Sequence, residues 1–99
     1  MSFVLISTQE VMLEIAARVK AIRLEQNLSQ EGLSLRSGVS LGSLKRFERT
    51  GEISLKSLIE ISVSLGIMED FDKLFVKDTN IESLFNKKEP KIRKRGSVK

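Results

Sequence analysis

The sequence predicts an all-α protein of five helices, and three observations support this. Apolar residues recur at helical spacing, serines stand just ahead of several of these runs, and glycines follow them. No stretch alternates apolar and polar residues as a strand does, apart from the short segment 3–6. The chain has 99 residues, which suits a single domain with a tail.

The first helix is predicted over residues 8–26. Ser7 and Glu10 are spaced as a capping box, in which each side chain bonds the backbone N–H of the other residue. Apolar residues at helical spacing follow: Val11, Met12, Ile15, Val19 and Ile22. The polar segment 27–29 should end this helix.

Two short helices should follow, joined by a tight turn. Ser29 can cap a helix over residues 30–37, and Gly38 can end it because glycine tolerates positive φ. Ser40 can cap the next helix, over residues 41–49, which the following glycine stops. This arrangement matches a helix-turn-helix, whose second helix enters the major groove of DNA.

Ser54 can cap a fourth helix that ends at Gly66, and its apolar side is predicted to be Leu55, Leu58, Ile59 and Leu65. A fifth helix is predicted over residues 68–75, because acidic residues in its first turn suit the helix dipole. Residues 79–86 should add a last turn.

The third helix has two contrasting faces. Together with the second helix it supplies an apolar set that must face a core: Leu33, Val39, Leu44 and Phe47. Its other face, at i, i+3, i+4 and i+7, consists of Gly42, Lys45, Arg46 and Arg49. Glycine weakens a helix, so its presence at position 42 calls for another reason. Because Gly42 has no side chain, we expect the first turn of this helix to come close to nucleic acid. An exposed cationic face that binds nothing is the alternative.

Charge is segregated along the chain, whose net charge is +4. Residues 18–49 carry seven cations and three anions, whereas residues 52–86 carry three cations and seven anions. Residues 87–99 carry seven cations and one anion. A basic patch is typical of a polyanion-binding face, and the acidic segment should point away from it.

Several kinds of chemistry are excluded by composition. The chain has no Cys and no His, so a zinc site, a disulfide and a nucleophile–imidazole pair are not expected. Asp70 and Asp72 are two residues apart and face different sides of a helix. We therefore expect no enzyme, no cofactor and no metal. The apolar segment 3–6 is too short for a signal peptide, which favours a cytoplasmic, nucleoid-associated protein.

The segment 18–66, "RVKAIRLEQNLSQEGLSLRSGVSLGSLKRFERTGEISLKSLIEISVSLG", resembles the Xre family of repressors, the group of lambda repressor and Cro. The motif elements are Arg23, Ser29-Gln30, Gly38-Val39-Ser40, Glu48, Gly51 and Leu65-Gly66. The resemblance implies a five-helix lambda-repressor-like domain that binds double-stranded DNA. It also implies that Arg23 and Glu48 pair and tie the first helix to the third.

The resemblance further assigns DNA contacts by position. Ser40, Leu41, Ser43 and Arg46 match positions that face base edges. Arg46 is the strongest candidate for specificity, because a guanidinium can bond guanine O6 and N7 together. Lys45 and Arg49 are expected at phosphates, as is Gln30 at the start of the second helix. Gly42 offers no side chain, which implies fewer base contacts and more dependence on DNA shape.

A longer stretch, 40–75, together with the opening "FVLIST", resembles the HipB-type antitoxins found beside HipA-like kinases. This implies a homodimer that represses its own operator and holds a HipA-like kinase toxin. A phage-type repressor or a restriction-modification controller would share the core motif. A helical protein-binding module without specific DNA binding is a further alternative.

Three segments are predicted: an extended N-terminal segment 1–7, a helical domain 8–86 and a flexible basic tail 87–99. Candidate dimer contacts, which could equally complete the monomer's core, are Phe3, Val4, Leu5, Phe71, Phe75 and Phe85. A candidate basic arm in the tail consists of Lys91, Arg93, Lys94 and Arg95. The tail could instead be a solvated end or a partner-binding peptide.

Overall fold

Five helices make up the secondary structure of the described residues. A computed structural model describes residues 7–77, and these residues contain no strand. The helices are α1 (Thr8–Glu25), α2 (Gln30–Ser37), α3 (Leu41–Thr50), α4 (Leu55–Leu65) and α5 (Met68–Asp72). The predicted all-α fold class is confirmed. The predicted N-terminal extended segment, except for Ser7, and the basic tail lie outside the described residues.

The chain divides into two compact units. The first ends at Met68 and contains α1 to α4, and the second begins at Glu69. Within the described residues, the second unit holds most of α5 and the turn that follows it.

Serine caps begin the first four helices. Each cap residue has an extended backbone, and its side-chain oxygen accepts the N–H three residues ahead. The four bonds are Glu10 N to Ser7 at 3.1 Å, Gly32 N to Ser29 at 2.9 Å, Ser43 N to Ser40 at 3.1 Å and Ser57 N to Ser54 at 3.0 Å. Glu10 accepts the Ser7 N–H in return at 3.0 Å, which completes the capping box. These bonds satisfy N–H groups that a helix itself leaves unpaired.

Gly51 ends α3 against the backbone of α1. Its φ is +83°, in the left-handed region that favours glycine. A Cβ at this position would stand 2.7 Å from the Met12 Cβ and 2.8 Å from the Met12 carbonyl carbon. Only glycine therefore fits where α3 ends.

The fifth helix is shorter than predicted. The sequence predicts helix over residues 68–75, whereas α5 ends at Asp72. Leu74 N bonds Phe71 O at 3.1 Å, three residues back, and Phe75 has a φ of +64°. A non-glycine residue in the left-handed region cannot continue a right-handed helix. The last turn predicted over 79–86 lies outside the described residues.

One apolar core joins α1 to α4. It comprises Ala16, Val19, Leu28, Leu33, Val39, Leu44, Phe47, Ile61 and Leu65. All four core residues predicted for α2, α3 and the turn between them are among these. The prediction that Leu55 belongs to this side of α4 is wrong, because Leu55 is 64% exposed. The core side runs through Leu58, Ile61 and Leu65, at helical spacing.

Two glutamines, Gln9 in α1 and Gln26 at the C-terminal cap of α1, bond the ends of other helices. Gln9 donates from Nε2 to the Thr50 carbonyl at 2.9 Å, at the end of α3. Nε2 of Gln26 donates to the Leu65 carbonyl at 2.9 Å, at the end of α4. Because the last carbonyls of a helix have no partner within it, these bonds satisfy them and fix both helix ends relative to α1.

Candidate nucleic-acid interface

Helix α3 has one buried side and one exposed side. Leu44 and Phe47 are almost fully buried and fix the rotation of the helix. The exposed side, which we name the cationic face, consists of Gly42, Lys45, Arg46 and Arg49. Because Leu44 and Phe47 point into the core, the three cations and the bare backbone at Gly42 all face solvent.

Gly42 is not required by the packing of residues 7–77. It lies in the first turn of α3, and a Cβ there would have no atom within 4 Å outside its own helix backbone and chain neighbours. Alanine would strengthen the helix and would meet no neighbour. The described part of the chain thus leaves open space above this backbone.

Three of the residues predicted to face bases lie at the start of α3. Ser40, the cap residue, donates its hydroxyl to Ser43 Oγ at 2.9 Å while accepting the Ser43 N–H. The Ser43 hydroxyl hydrogen has no described acceptor among residues 7–77, so it can donate to a base or a phosphate. Leu41, the first helical residue, is half-buried.

Arg46 forms an ion pair that the sequence did not predict. Its Nε donates to Glu52 Oε1 at 2.9 Å, and Nη2 donates to the same oxygen. The side chains are 63% and 50% exposed, so solvent reaches the pair. The available sequence signal was an acidic residue directly after the glycine that ends α3.

Lys45 and Arg49 complete the cationic face. Both are exposed, and neither has an acidic partner within residues 7–77. Their charges are therefore available to bind an anion from outside the protein, which is what phosphate contacts require.

Behind α3, a buried ion pair joins it to α1. Arg23 donates from Nε to Glu48 Oε2 at 2.8 Å and from Nη2 to Glu48 Oε1 at 3.0 Å. Its Nη1 donates to the Leu28 carbonyl at 2.6 Å. The Arg23 and Glu48 side chains are 7% and 5% exposed. Bidentate geometry with a third hydrogen bond satisfies the buried guanidinium.

Glu48 is held in its charged form. Burial raises its pKa, but hydrogen bonds from Arg23 and Gln30, with the positive charges of Arg23 and Lys20, outweigh burial. The net result is a pKa below the ordinary value of 4.5.

Gln30 also bonds to the buried Arg23–Glu48 pair. Its Nε2 donates to Glu48 Oε1 at 2.9 Å from the first residue of α2. The predicted phosphate contact would therefore use its other amide hydrogen or the backbone N–H at the start of α2.

A cleft lies between the cationic face and the start of α4. Its lining residues are Ser43, Arg46, Glu52, Ile53, Ser54 and Ser57. The cleft exposes Arg46 together with Glu52, so both side chains are accessible to a ligand bound along α3.

The remaining predicted residues lie in the second unit or outside residues 7–77. Phe71 is half-buried and Phe75 is 92% exposed, both in the second unit. The remaining candidate dimer and arm residues lie outside the described residues: Phe3, Val4, Leu5, Phe85, Lys91, Arg93, Lys94 and Arg95. Residues 7–77 contain no cluster of metal-ligating side chains. None of the helices described is long and apolar enough to cross a membrane.

A family model for helix-turn-helix domains, HTH_3, matches residues 19–70. The match covers the last part of α1, all of α2, α3 and α4, and the beginning of α5. Because it spans more than half of the chain, the chain belongs to this helix-turn-helix family. The family is one of DNA-binding regulatory domains. No curated protein matches the chain significantly.

Proposed function

We propose that this helix-turn-helix protein is a transcriptional regulator that recognises a specific operator with α3. The observation that carries the proposal is the cationic face. There, a glycine with open space around it stands beside three exposed cations on the second helix of the motif. A helix whose backbone is bare at its first turn can approach the edges of the major groove closely.

Each exposed side chain of α3 then has a role. Arg46 lies in the middle of the helix and can bond guanine O6 and N7. Lys45 and Arg49 bind phosphates of the DNA backbone, and Gln30 contributes from α2. Ser40, Leu41 and Ser43 lie at the end of α3 that approaches the bases. The Arg23–Glu48 pair supports these contacts from behind, since it fixes α3 on α1.

At a finer level, we propose a dimeric autorepressor that also acts as the antitoxin of a HipA-like kinase. The support is the resemblance of residues 40–75 to HipB-type proteins. A dimer suits operator recognition, because two copies reach half-sites one helical turn apart. Phe71 and Phe75 are the candidate dimer contacts within the described residues. The proposed domain extends over residues 8–86.

The first experiment measures binding to the DNA upstream of the protein's own gene over a range of salt concentrations. Arg46→Ala is compared with wild type and with Arg18→Ala, which removes the same charge from α1. We expect a specific wild-type complex that weakens steeply with salt, because bound phosphates release counterions. Arg46→Ala should lose about tenfold or more in preference for the operator. Arg18→Ala should keep that preference.

Two outcomes would contradict the proposal. Equal and weak binding of wild type and Arg46→Ala to any duplex would mean that the cationic face is a generic basic surface. Unchanged operator binding by Arg46→Ala would place recognition elsewhere. The antitoxin role is tested separately, by co-purification with a HipA-like kinase and by sedimentation of the free protein. A phage-type repressor or a restriction-modification controller would dimerise without retaining the kinase.

A further inference from the structure

We propose that Glu52 is a positioning residue for Arg46 and that it raises the protein's preference for its operator over other DNA. The inference rests on the proposed function, because it assumes that Arg46 contacts a base. It adds a residue outside the cationic face, located beyond the end of α3.

The ion pair between Arg46 and Glu52 occupies one edge of the Arg46 guanidinium and leaves the other edge open. Nε and Nη2 of Arg46 both donate to Glu52 Oε1, which occupies the side edge of the group. The end edge, formed by Nη1 and the second Nη2 hydrogen, has no described acceptor among residues 7–77. Two parallel N–H groups remain there, which is the donor pair that guanine O6 and N7 accept.

Glu52 is itself held in place by the turn that ends α3. The Thr50 hydroxyl donates to the Arg46 carbonyl at 2.8 Å, and the Glu52 N–H donates to Thr50 Oγ1 at 3.1 Å. Gly51, with a φ of +83°, turns the chain back toward Arg46. The backbone of Glu52 is therefore fixed close to Arg46, and the ion pair restricts the freedom of the exposed arginine side chain.

Exposure argues against a mainly stabilising role. With 63% of the Arg46 side chain and 50% of the Glu52 side chain exposed, the pair is of a kind that adds little to folding stability. Its larger effect is on the orientation of a long, flexible side chain. An arginine held in one orientation before binding loses less conformational freedom at a matching base.

The charge of Glu52 acts in the same direction. Its carboxylate lies beside a cation on the face that meets DNA, so it offsets the attraction of Arg46 for any nearby phosphate. Attraction to phosphates is independent of sequence and supports non-specific binding. A carboxylate at this position thus weakens binding to non-specific DNA, while the end edge of Arg46 can still donate hydrogen bonds to the correct base.

The test compares Glu52→Gln with wild type on the operator and on an unrelated duplex of equal length, at one salt concentration. We expect the variant to bind the unrelated duplex about threefold more tightly, because one repulsive charge is removed. The ratio of operator affinity to non-specific affinity should fall about tenfold, since the neutral amide oxygen of glutamine binds the Arg46 guanidinium more weakly and orients it less firmly. Circular dichroism establishes that the variant is folded, which an exposed position should permit.

A double-mutant cycle separates positioning from a simple charge effect. If Glu52 acts through Arg46, Glu52→Gln should leave the affinity ratio unchanged in an Arg46→Ala background. Glu31→Gln removes the same charge from an exposed residue of α2 and serves as the matched control. It should keep the wild-type ratio.

Three results would overturn the inference. An unchanged ratio in Glu52→Gln, with wild type discriminating, would remove Glu52 from specificity and leave the proposed function intact. An equal fall in the ratio with and without Arg46 would show that Glu52 does not act through that residue. Failure of wild type to discriminate the operator at all would overturn the proposed function and this inference together.

Discussion

Arg23 and Glu48 connect α1 to α3 through two hydrogen bonds of 2.8 and 3.0 Å, with both side chains buried. The same guanidinium donates to the carbonyl of Leu28, just before α2. One side chain of α1 thus bonds both α3 and the residue that precedes the cap of α2. The consequence is that this pair should affect stability and DNA binding together.

We predict that Glu48→Ala strongly destabilises the protein. The substitution leaves the Arg23 guanidinium buried without its carboxylate, a situation that costs about 3–5 kcal/mol in proteins. Urea unfolding followed by circular dichroism measures the loss. The matched control is Glu60→Ala, which removes a partly exposed carboxylate 3.5 Å from Lys56 and should cost less than about 0.5 kcal/mol. Equal costs for the two variants would contradict a structural role for the buried pair.

The lowered pKa of Glu48 predicts acid-sensitive stability. Because the pKa is lower in the fold than its ordinary value of 4.5, the unfolded chain binds a proton more readily in this range. The contribution of Glu48 to the free energy of unfolding is therefore fully present above pH 4.5. It is lost as the pH falls through the lowered pKa that Glu48 has in the folded protein. Urea unfolding of wild type and Glu48→Gln, from about pH 6 to about pH 2, measures it.

The difference in unfolding free energy between these two proteins isolates Glu48 from the other carboxylates. We expect this difference to be largest near neutral pH and to shrink under acid conditions. A difference that stays constant across the range would mean that Glu48 has the same pKa in the folded and the unfolded chain.

The helices could be predicted largely because their boundaries are local. Ser29 and Gly38 delimit α2 by chemistry within three or four residues, namely a cap bond to Gly32 N and a positive φ. The core residues Leu44 and Phe47 follow from helical spacing, which is equally local. The Arg23–Glu48 pair came instead from family resemblance, since the two residues are distant in sequence.

Other features depend on tertiary relationships that a single sequence does not display. Leu35 is 86% exposed and Leu55 is 64% exposed, so apolar character alone did not locate the core. The predicted extension of α5 to Phe75 is wrong, and no glycine or proline gave a signal for the left-handed φ of Phe75. Glu52 reaches Arg46 only because Gly51 reverses the chain between them.

We predict that Gly51→Ala destabilises the protein more than Gly38→Ala does. Both glycines have left-handed φ values, +83° and +80°, so both substitutions incur about 1–2 kcal/mol of backbone cost. Only at Gly51 would the new Cβ collide with Met12, whereas at Gly38 it would meet nothing within 4 Å. The collision should add about 1 kcal/mol or more. Matching losses in thermal unfolding would mean that α1 moves aside without cost.

We predict that Gly42→Ala stabilises the free protein and weakens its binding to DNA. A methyl group there meets no neighbour, and replacing glycine within a helix gains up to about 1 kcal/mol. If the bare backbone of α3 approaches the groove, the same methyl group lies in the interface and should reduce operator affinity about tenfold. Val63→Ala, at an exposed position of α4, should also favour helix formation without changing DNA affinity. A more stable Gly42→Ala protein that binds the operator as tightly as wild type would mean that the helix does not approach DNA at this residue.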